Sequence, residues 1–456
     1  MLSIPREEIN ELINTYGTAV PRYTSYPTAP EWKDVFSQEQ FEAAIAKSNL
    51  TQEDFSLYLH IPFCESQCYF CGCNVVISPK HGIEEEYLTH LFSEIDYYGN
   101  LFDKERKVAQ MAWGGGTPSY LSVKQIYDLY KKLDDNFNMY KNKNDNYEYA
   151  IEIDPRVTNK EQLQALYDCG FNRLSMGIQD FNTSTQLAIN RIQSAEDVFN
   201  LTQQAREIGF NSINYDLIYG LPFQTMTSFQ ETIAVIKEHA PDRIALFNYA
   251  HLPEMIAHQK KYIDETTLPD TKTKLEIFDS SVEAFTNFGY EFIGIDHFAK
   301  KSDSLVTAYK NKSLYRNFQG YTTFSGCDMI SFGITAISDI QGAYKQNAKK
   351  MNDYYKDFKM AQKAKFSDTN DITRRTIIKE IMCNNFVVIN KNHFSHEIEL
   401  LNSFAKDNLL KISQKNEELV NIELTSIGRF FSRNIASVFD DYLNKKTAFK
   451  AFSQSL

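Results

Sequence analysis

Residues 56–74 read Ser-Leu-Tyr-Leu-His-Ile-Pro-Phe-Cys-Glu-Ser-Gln-Cys-Tyr-Phe-Cys-Gly-Cys-Asn. The first six are β-rich and mostly apolar, and Pro62 follows them, so a buried strand over 56–61 runs directly into a cysteine loop. Cys64, Cys68 and Cys71, in the spacing C-x3-C-x2-C, set three thiols at the C-terminal end of that strand, and Cys73 follows two residues later. Outward from here the chain alternates. Five more β-rich runs fall at 108–116, 147–154, 172–179, 213–221 and 243–250, separated by amphipathic stretches at 85–98, 123–137, 160–170, 195–209 and 228–240. Gly170, Gly209 and Gly289 stand just past helical patterns, where a left-handed cap is expected. Six βα units in a row predict a parallel sheet with helices outside, either open or closed as a barrel. In a barrel of this kind chemistry sits at the C-terminal strand ends, and the chemically notable residues fall there.

The balance of 48 Lys and Arg against 59 Asp and Glu gives a net charge of −11, which excludes a generic binder of nucleic acid or of anionic membranes. No run approaches the ~18 apolar residues of a membrane span, and the first residues carry charges where a signal peptide needs an apolar core. A cytoplasmic protein is expected, and with no apolar heptad pattern, a monomer. Four of the seven cysteines lie within ten residues and Cys169, Cys327 and Cys383 are scattered, which reads as a metal site rather than a disulfide framework. Residues 21–28, Pro-Arg-Tyr-Thr-Ser-Tyr-Pro-Thr, predict an extended segment. The alternation stops around 300–365, and from about 366 the pattern is helical with short β pieces, of winged-helix type. The expected division is 1–55, 56–360 and 361–456.

Three thiolates on one tight loop can hold three irons of a 4Fe–4S cube and leave the fourth open. An open iron can chelate the amino and carboxylate groups of S-adenosylmethionine (SAM). The competing reading is structural zinc, which prefers paired knuckles that close four ligands. Here Cys71 and Cys73 are too cramped for tetrahedral closure, and no downstream Cys/His pair of ligand spacing appears.

The run CESQCYFCGC followed by Asn resembles the oxygen-independent coproporphyrinogen III oxidases of the radical SAM superfamily. The resemblance extends over most of the chain: PRYTSYPTAP (21–30), WGGGTP (113–118), IEIDPR (151–156), GFNRLSMGIQDF (170–181), DLIYGLP (216–222), FNYAHLP (247–253), FIGIDHFA (292–299), RNFQGYTT (316–323) and LTSIGRFFSRNI (424–435). It implies a partial (β/α)6 radical SAM barrel, an N-terminal extended segment closing over the active site, and a small, mainly helical C-terminal domain. It implies a 4Fe–4S cluster on Cys64, Cys68 and Cys71, two SAM molecules, and a reducing partner such as flavodoxin or ferredoxin. The implied reaction decarboxylates two propionates of coproporphyrinogen III oxidatively to vinyl groups, giving protoporphyrinogen IX. Haem chaperones of the same branch are the alternative, but they usually lack the fourth cysteine and the PRYTSYP segment.

The resemblance also distributes roles. Tyr58 and Phe70 lie near SAM and the cluster, and His60 beside it as proton donor or hydrogen-bond partner; the plain alternatives are core packing for Tyr58 and a satisfied core histidine for His60. Gly115, Gly116 and Thr117 bind the SAM amino group through backbone, although a glycine run is also just a turn. Glu152 accepts from the SAM ammonium or makes a surface salt bridge. Gln179, Arg191 and Asp216 complete SAM binding, with Arg191 on a carboxylate and Asp216 on a ribose hydroxyl. Ala250 and Ile337 line the adenine and a second SAM position, and Phe318 and Gln319 face the second SAM. Cys73 is not a ligand but tunes the cluster. Arg22 is the first candidate for a substrate propionate, and Arg316, otherwise an ordinary surface arginine, the second.

Overall fold

The computed structural model describes residues 6–34 and 37–444. Contacts divide the chain into two compact units: residues 33–288 with 326–366, and residues 1–32 with 289–325 and 367–456. The linear division expected from composition differs from this one, because the second unit gathers three stretches that are far apart along the chain.

The first unit carries six consecutive parallel strands: β1 (Phe55–Ile61), β2 (Lys107–Gly115), β3 (Glu148–Ile153), β4 (Arg173–Gln179), β5 (Ser212–Tyr219) and β6 (Arg243–Asn248). Each pairs in parallel with the next. The expected runs lie within two residues of these bounds. The strands are buried on both faces, as parallel strands covered by helices must be, so they read as nearly continuous apolar runs. The helices between them start at designed caps. Ser122 accepts from the Gln125 N–H, Asn159 from Gln162 and Thr225 from Ser228, each meeting an otherwise orphaned donor. Gly170, Gly209 and Gly289 take positive φ of 88°, 120° and 94°, as helix ends there require.

Beyond β1 the sheet continues. Met329–Phe332 pairs in parallel with β1, and Ile337–Ile340, Ala343–Gln346 and Lys363–Phe366 follow as an antiparallel meander. No pairing among the described residues closes this sheet into a barrel, so the fold is an open, mostly parallel sheet.

In the second unit helix Thr369–Asn384, strand Phe386–Asn390 and helix Ser395–Lys406 lead into the hairpin Leu410–Gln414 and Leu419–Leu424, whose second strand pairs with 386–390. The core of this unit includes Ile381, Leu401, Ile422 and Phe439. Tyr23 and Tyr26 of the N-terminal segment pack into the same core, where the Tyr23 hydroxyl donates to Asp440 at 3.0 Å and Tyr26 accepts from the Asp441 N–H at 3.1 Å.

Candidate active site

The C-terminal ends of β1 to β5 surround a cavity of about 280 Å³. Cys64, Cys68, Cys71 and Cys73 line it from the loop after β1; Gly115, Gly116 and Thr117 from the end of β2; Glu152 from β3, Gln179 from β4, Arg191 from the following loop and Asp216 from β5. These eleven residues singled out from sequence therefore share one space, and Phe70 lines it with them.

The glycine run is needed because two segments press on it, residues 60–63 and the end of β3 at Glu152. A Cβ on Gly115 would stand 2.5 Å from the His60 ring, and its φ of +112° is one that side chains rarely adopt. A Cβ on Gly116 would stand 2.6 Å from the Pro62 carbonyl. The donors here are already used: the Gly115 N–H goes to Glu152 at 3.2 Å, Gly116 to the Ile61 carbonyl at 2.9 Å and Thr117 to the Phe63 carbonyl at 2.8 Å. What this backbone can offer an ammonium ligand is carbonyl oxygen.

His60 is buried. Its Nε2 lies 3.2 Å from the Asn74 carbonyl and its Nδ1 lies 3.3 Å from the Tyr58 hydroxyl and 3.5 Å from that of Thr335. Nε2 therefore donates and Nδ1 accepts in the neutral ring. Burial pulls its pKa down to about 4. Glu152 opens onto the cavity but is enclosed by protein around it; that enclosure, with the Asp216 charge, raises its pKa to about 7. Burial raises Asp216 to about 6, against hydrogen bonds from Asn214 at 2.8 Å and Ser175 at 3.1 Å. Two carboxyl groups sharing one enclosed space resist ionising together, and a cationic ligand would relieve both.

The thiols fit a cluster. Arg156 and Arg191 each place a guanidinium nitrogen 3.5 Å from Cys68 Sγ, and both pair with Asp154, at 2.7 and 3.0 Å. Cys71 accepts from the Cys73 N–H at 3.4 Å, and hydrogen bonding from Cys73 lowers its pKa to about 7. The bond from Cys73 favours thiolate at Cys71, the form that binds iron. Among the described residues no three His, Cys, Asp or Glu side chains converge as they would on a single ion; a cube, in which each thiolate takes a different iron, does not require that convergence.

Some placements differ from expectation. Arg191 already has a protein carboxylate, Asp154, because the two are buried side by side and neither can stand alone. Asp154 and Arg156 were missed, although IEIDPR contains both; nothing in the motif says that its arginine turns back toward Cys68. Ala250 lines a second cavity of about 820 Å³ together with Phe70, Gly72, Cys73 and Asn74. Ile337 lines neither cavity, and Thr335 lines the second. Arg22, Phe318 and Gln319 belong to the other unit. Arg316 is not a surface arginine: it is 4% exposed. Cys169 and Cys383 are buried thiols.

The radical SAM superfamily model matches residues 58–236. The oxygen-independent coproporphyrinogen III oxidase of Escherichia coli K12 is 42% identical over 97% of both chains, and that of Synechocystis is 40% identical over 98% of this chain and 97% of its own. The solved structure of coproporphyrinogen III oxidase (HemN) from Escherichia coli, described as a radical SAM enzyme, superposes with a TM-score of 0.86 at 40% identity, covering 93% of this chain and all of its own. The chain belongs to the oxygen-independent coproporphyrinogen III oxidase family of the radical SAM superfamily.

Proposed function

We propose that this chain decarboxylates two propionates of coproporphyrinogen III oxidatively to vinyl groups, without oxygen, with a 4Fe–4S cluster and SAM as cofactors. The observation that carries the reading is one cavity shared by the C-x3-C-x2-C thiols, the glycine run, Glu152 and Asp216, in a chain 42% identical to such an oxidase along nearly its full length. When bound, the cluster and SAM would supply the hydrogen-atom abstraction at a propionate β-carbon, and the electron released with CO2 would pass to an external acceptor.

The residues have separable tasks. Cys64, Cys68 and Cys71 hold the cluster, and the Arg156 and Arg191 guanidiniums steady the Cys68 thiolate. Cys73 is not a ligand and acts on Cys71 through its N–H. Glu152 and the carbonyls of Gly115 and Gly116 take the SAM ammonium, Asp216 a ribose hydroxyl, and Gln179 and Thr117 complete the contacts. Phe70 supplies an apolar face toward the adenosyl group. Tyr58 orients neutral His60, which ties the cysteine loop at Asn74. Ala250, Ile337, Phe318 and Gln319 serve a second SAM molecule, and Arg22 takes a propionate. The donor is a low-potential protein such as flavodoxin or ferredoxin, and the chain works as a cytoplasmic monomer. No helix among the described residues is long and apolar enough to cross a membrane.

The test is anaerobic. The protein is reconstituted with iron and sulfide and supplied with SAM, a low-potential reductant, an electron acceptor and coproporphyrinogen III. Stepwise mass loss through a tripropionate intermediate, with 5′-deoxyadenosine released and Cys68→Ala inactive, is the expected result. SAM cleavage without porphyrin conversion would refute the substrate, and stable haem binding in its place would favour the chaperone.

A further inference from the structure

Each cysteine of the loop is held from a different side. The Cys64 thiol shares a hydrogen bond with the Thr117 hydroxyl at 3.4 Å, and Cys68 lies against the Arg156 and Arg191 guanidiniums. The half of the loop that carries Cys71 meets the helix Ala257–Tyr262, which comes after β6. Four consecutive loop residues are each met by one residue of that helix or of the position just before it, in reverse order. The Tyr69 ring stacks on Tyr262, with centroids 4.3 Å apart and planes 16° from parallel. The Phe70 carbonyl accepts from Gln259 Nε2 at 2.8 Å, and the Cys71 carbonyl from His258 Nε2 at 2.6 Å. Gly72 faces Ile256: a Cβ there would stand 3.3 Å from Ile256 Cδ1.

These contacts differ in kind. Gln259 is 1% exposed, and its amide also binds the stretch before the helix: Oε1 accepts from the Leu252 N–H at 2.7 Å, and Nε2 reaches the Ala250 carbonyl at 3.3 Å. It fastens backbone to backbone. The His258 bond goes to a cluster-binding residue itself. A carbonyl oxygen only accepts, so Nε2 carries the hydrogen in the neutral and the charged ring alike. The Cys71 carbonyl belongs to the peptide that leads into Gly72, a residue with no Cβ to restrict the turn. That turn brings the Cys73 N–H back to Cys71 Sγ at 3.4 Å. Hydrogen bonds to sulfur are among the terms that set a cluster's reduction potential, and groups behind the ligands fix how those ligands point. The partial positive charge of an N–H favours the reduced, more negative cluster.

We propose that His258 is a positioning residue for the cluster: by holding the Cys71 carbonyl it keeps the Cys73 N–H on the Cys71 sulfur, which raises the reduction potential and slows the loss of iron. This rests on Cys71 as a cluster ligand and goes beyond it by assigning the setting of that thiolate to a side chain 187 positions away.

The experiment uses the anaerobically reconstituted full chain and reads two quantities that need no turnover. One is the rate of iron release to a ferrous chelator; the other is the midpoint potential from a dye-mediated titration followed by electron paramagnetic resonance. His258 is half-buried and borders the open cavity of about 820 Å³, so His258→Ala widens an open space rather than emptying a core, and alanine is the better helix former. His258→Ala is expected to release iron at least threefold faster and to shift the potential to a more negative value. His258→Gln, whose side-chain amide offers an N–H in place of the one at Nε2, is expected to restore both. Release less than threefold faster in His258→Ala, an unchanged potential, or a Gln variant that behaves as the Ala variant overturns the proposal. If His258→Ala does not accumulate folded, His258→Leu, which keeps the bulk and lacks the donor, carries the same test with the same limits. If the parent takes up no 4Fe–4S cluster, the cluster reading fails, and His258 is judged in the iron-free protein by amide exchange over residues 69–73. Exchange at least threefold faster in His258→Ala and restored in His258→Gln retains the positioning role, and any smaller change overturns it.

Discussion

Lowering the pH from 7 to 5 should weaken the first unit through one imidazole. His60 is buried among Tyr58, Asn74, Thr335 and the glycine at 115, and its pKa falls from 6.5 to about 4. In the unfolded chain the same ring titrates near its ordinary value. Between those two values the unfolded state takes up a proton that the folded state refuses. Stability from this group is therefore complete above about pH 6.5, is lost as pH falls toward 4, and changes no further below that. At pH 5 the loss relative to pH 7 comes to about 2 kcal/mol for that shift. The assay is denaturant unfolding of the reduced, iron-free protein at both pH values. It uses a Trp32→Phe background, which leaves Trp113 as the only tryptophan. Trp113 is fully buried on β2, in register with Leu59, next to His60, so its fluorescence follows the right unit. His60→Gln should remove about 2 kcal/mol of the pH-dependent loss while the contribution of every other group persists. Equal losses in parent and variant would refute the assignment of a neutral, proton-refusing His60.

Three further outcomes are expected. Alanine at Cys64, Cys68 or Cys71 should abolish the iron–sulfur absorbance after reconstitution, whereas Cys73→Ala should retain the iron content with an altered spectrum; full iron loss in Cys73→Ala would make it a ligand. Gly115→Ala must accept a positive φ and displace the His60 ring, which should cost more than about 2 kcal/mol and prevent cluster assembly, as read by denaturant midpoint and absorbance. Asp154→Asn leaves Arg156 and Arg191 without their shared carboxylate and should destabilise the protein by about 3 kcal/mol; a change below half that would mean the thiol loop, not Asp154, holds the two arginines.

The six parallel strands could be read from sequence because strands buried on both faces have a continuous apolar signature and because caps such as Ser122, Asn159 and Thr225 mark each helix start. The cysteine loop could be read from spacing alone. The meander over 329–366 could not, since its three antiparallel strands are four residues each and mix polar with apolar positions. Nor could the grouping of 6–32 with 433–442, which depends on Tyr23 and Tyr26 meeting Asp440 and Asp441 more than 400 positions away. Within the site, a motif can put Asp154 and Arg156 at a strand end, but only packing decides that both arginines near Cys68 share one carboxylate. For Arg316 the sequence left two readings open, a propionate arginine or an ordinary surface one, and its burial at 4% exposure removes the second.

The threefold passage of the chain through the second unit bears on the order of events at the ribosome. The βα units from 55 to 288 are contiguous, so each strand can settle beside the one just made, with local contacts rewarding each step. Residues 22–26 have to wait for residues 433–442, made more than 400 positions later, before Tyr23 and Tyr26 find their places. The cluster of Arg22, Arg316 and Arg433 with Asp296 is therefore complete only once Arg433 has been made, whereas every residue of the cysteine cavity precedes it by more than 180 positions. Domains generally complete as units during synthesis; here one unit joins segments more than 400 positions apart, so its charge network waits for the later of them.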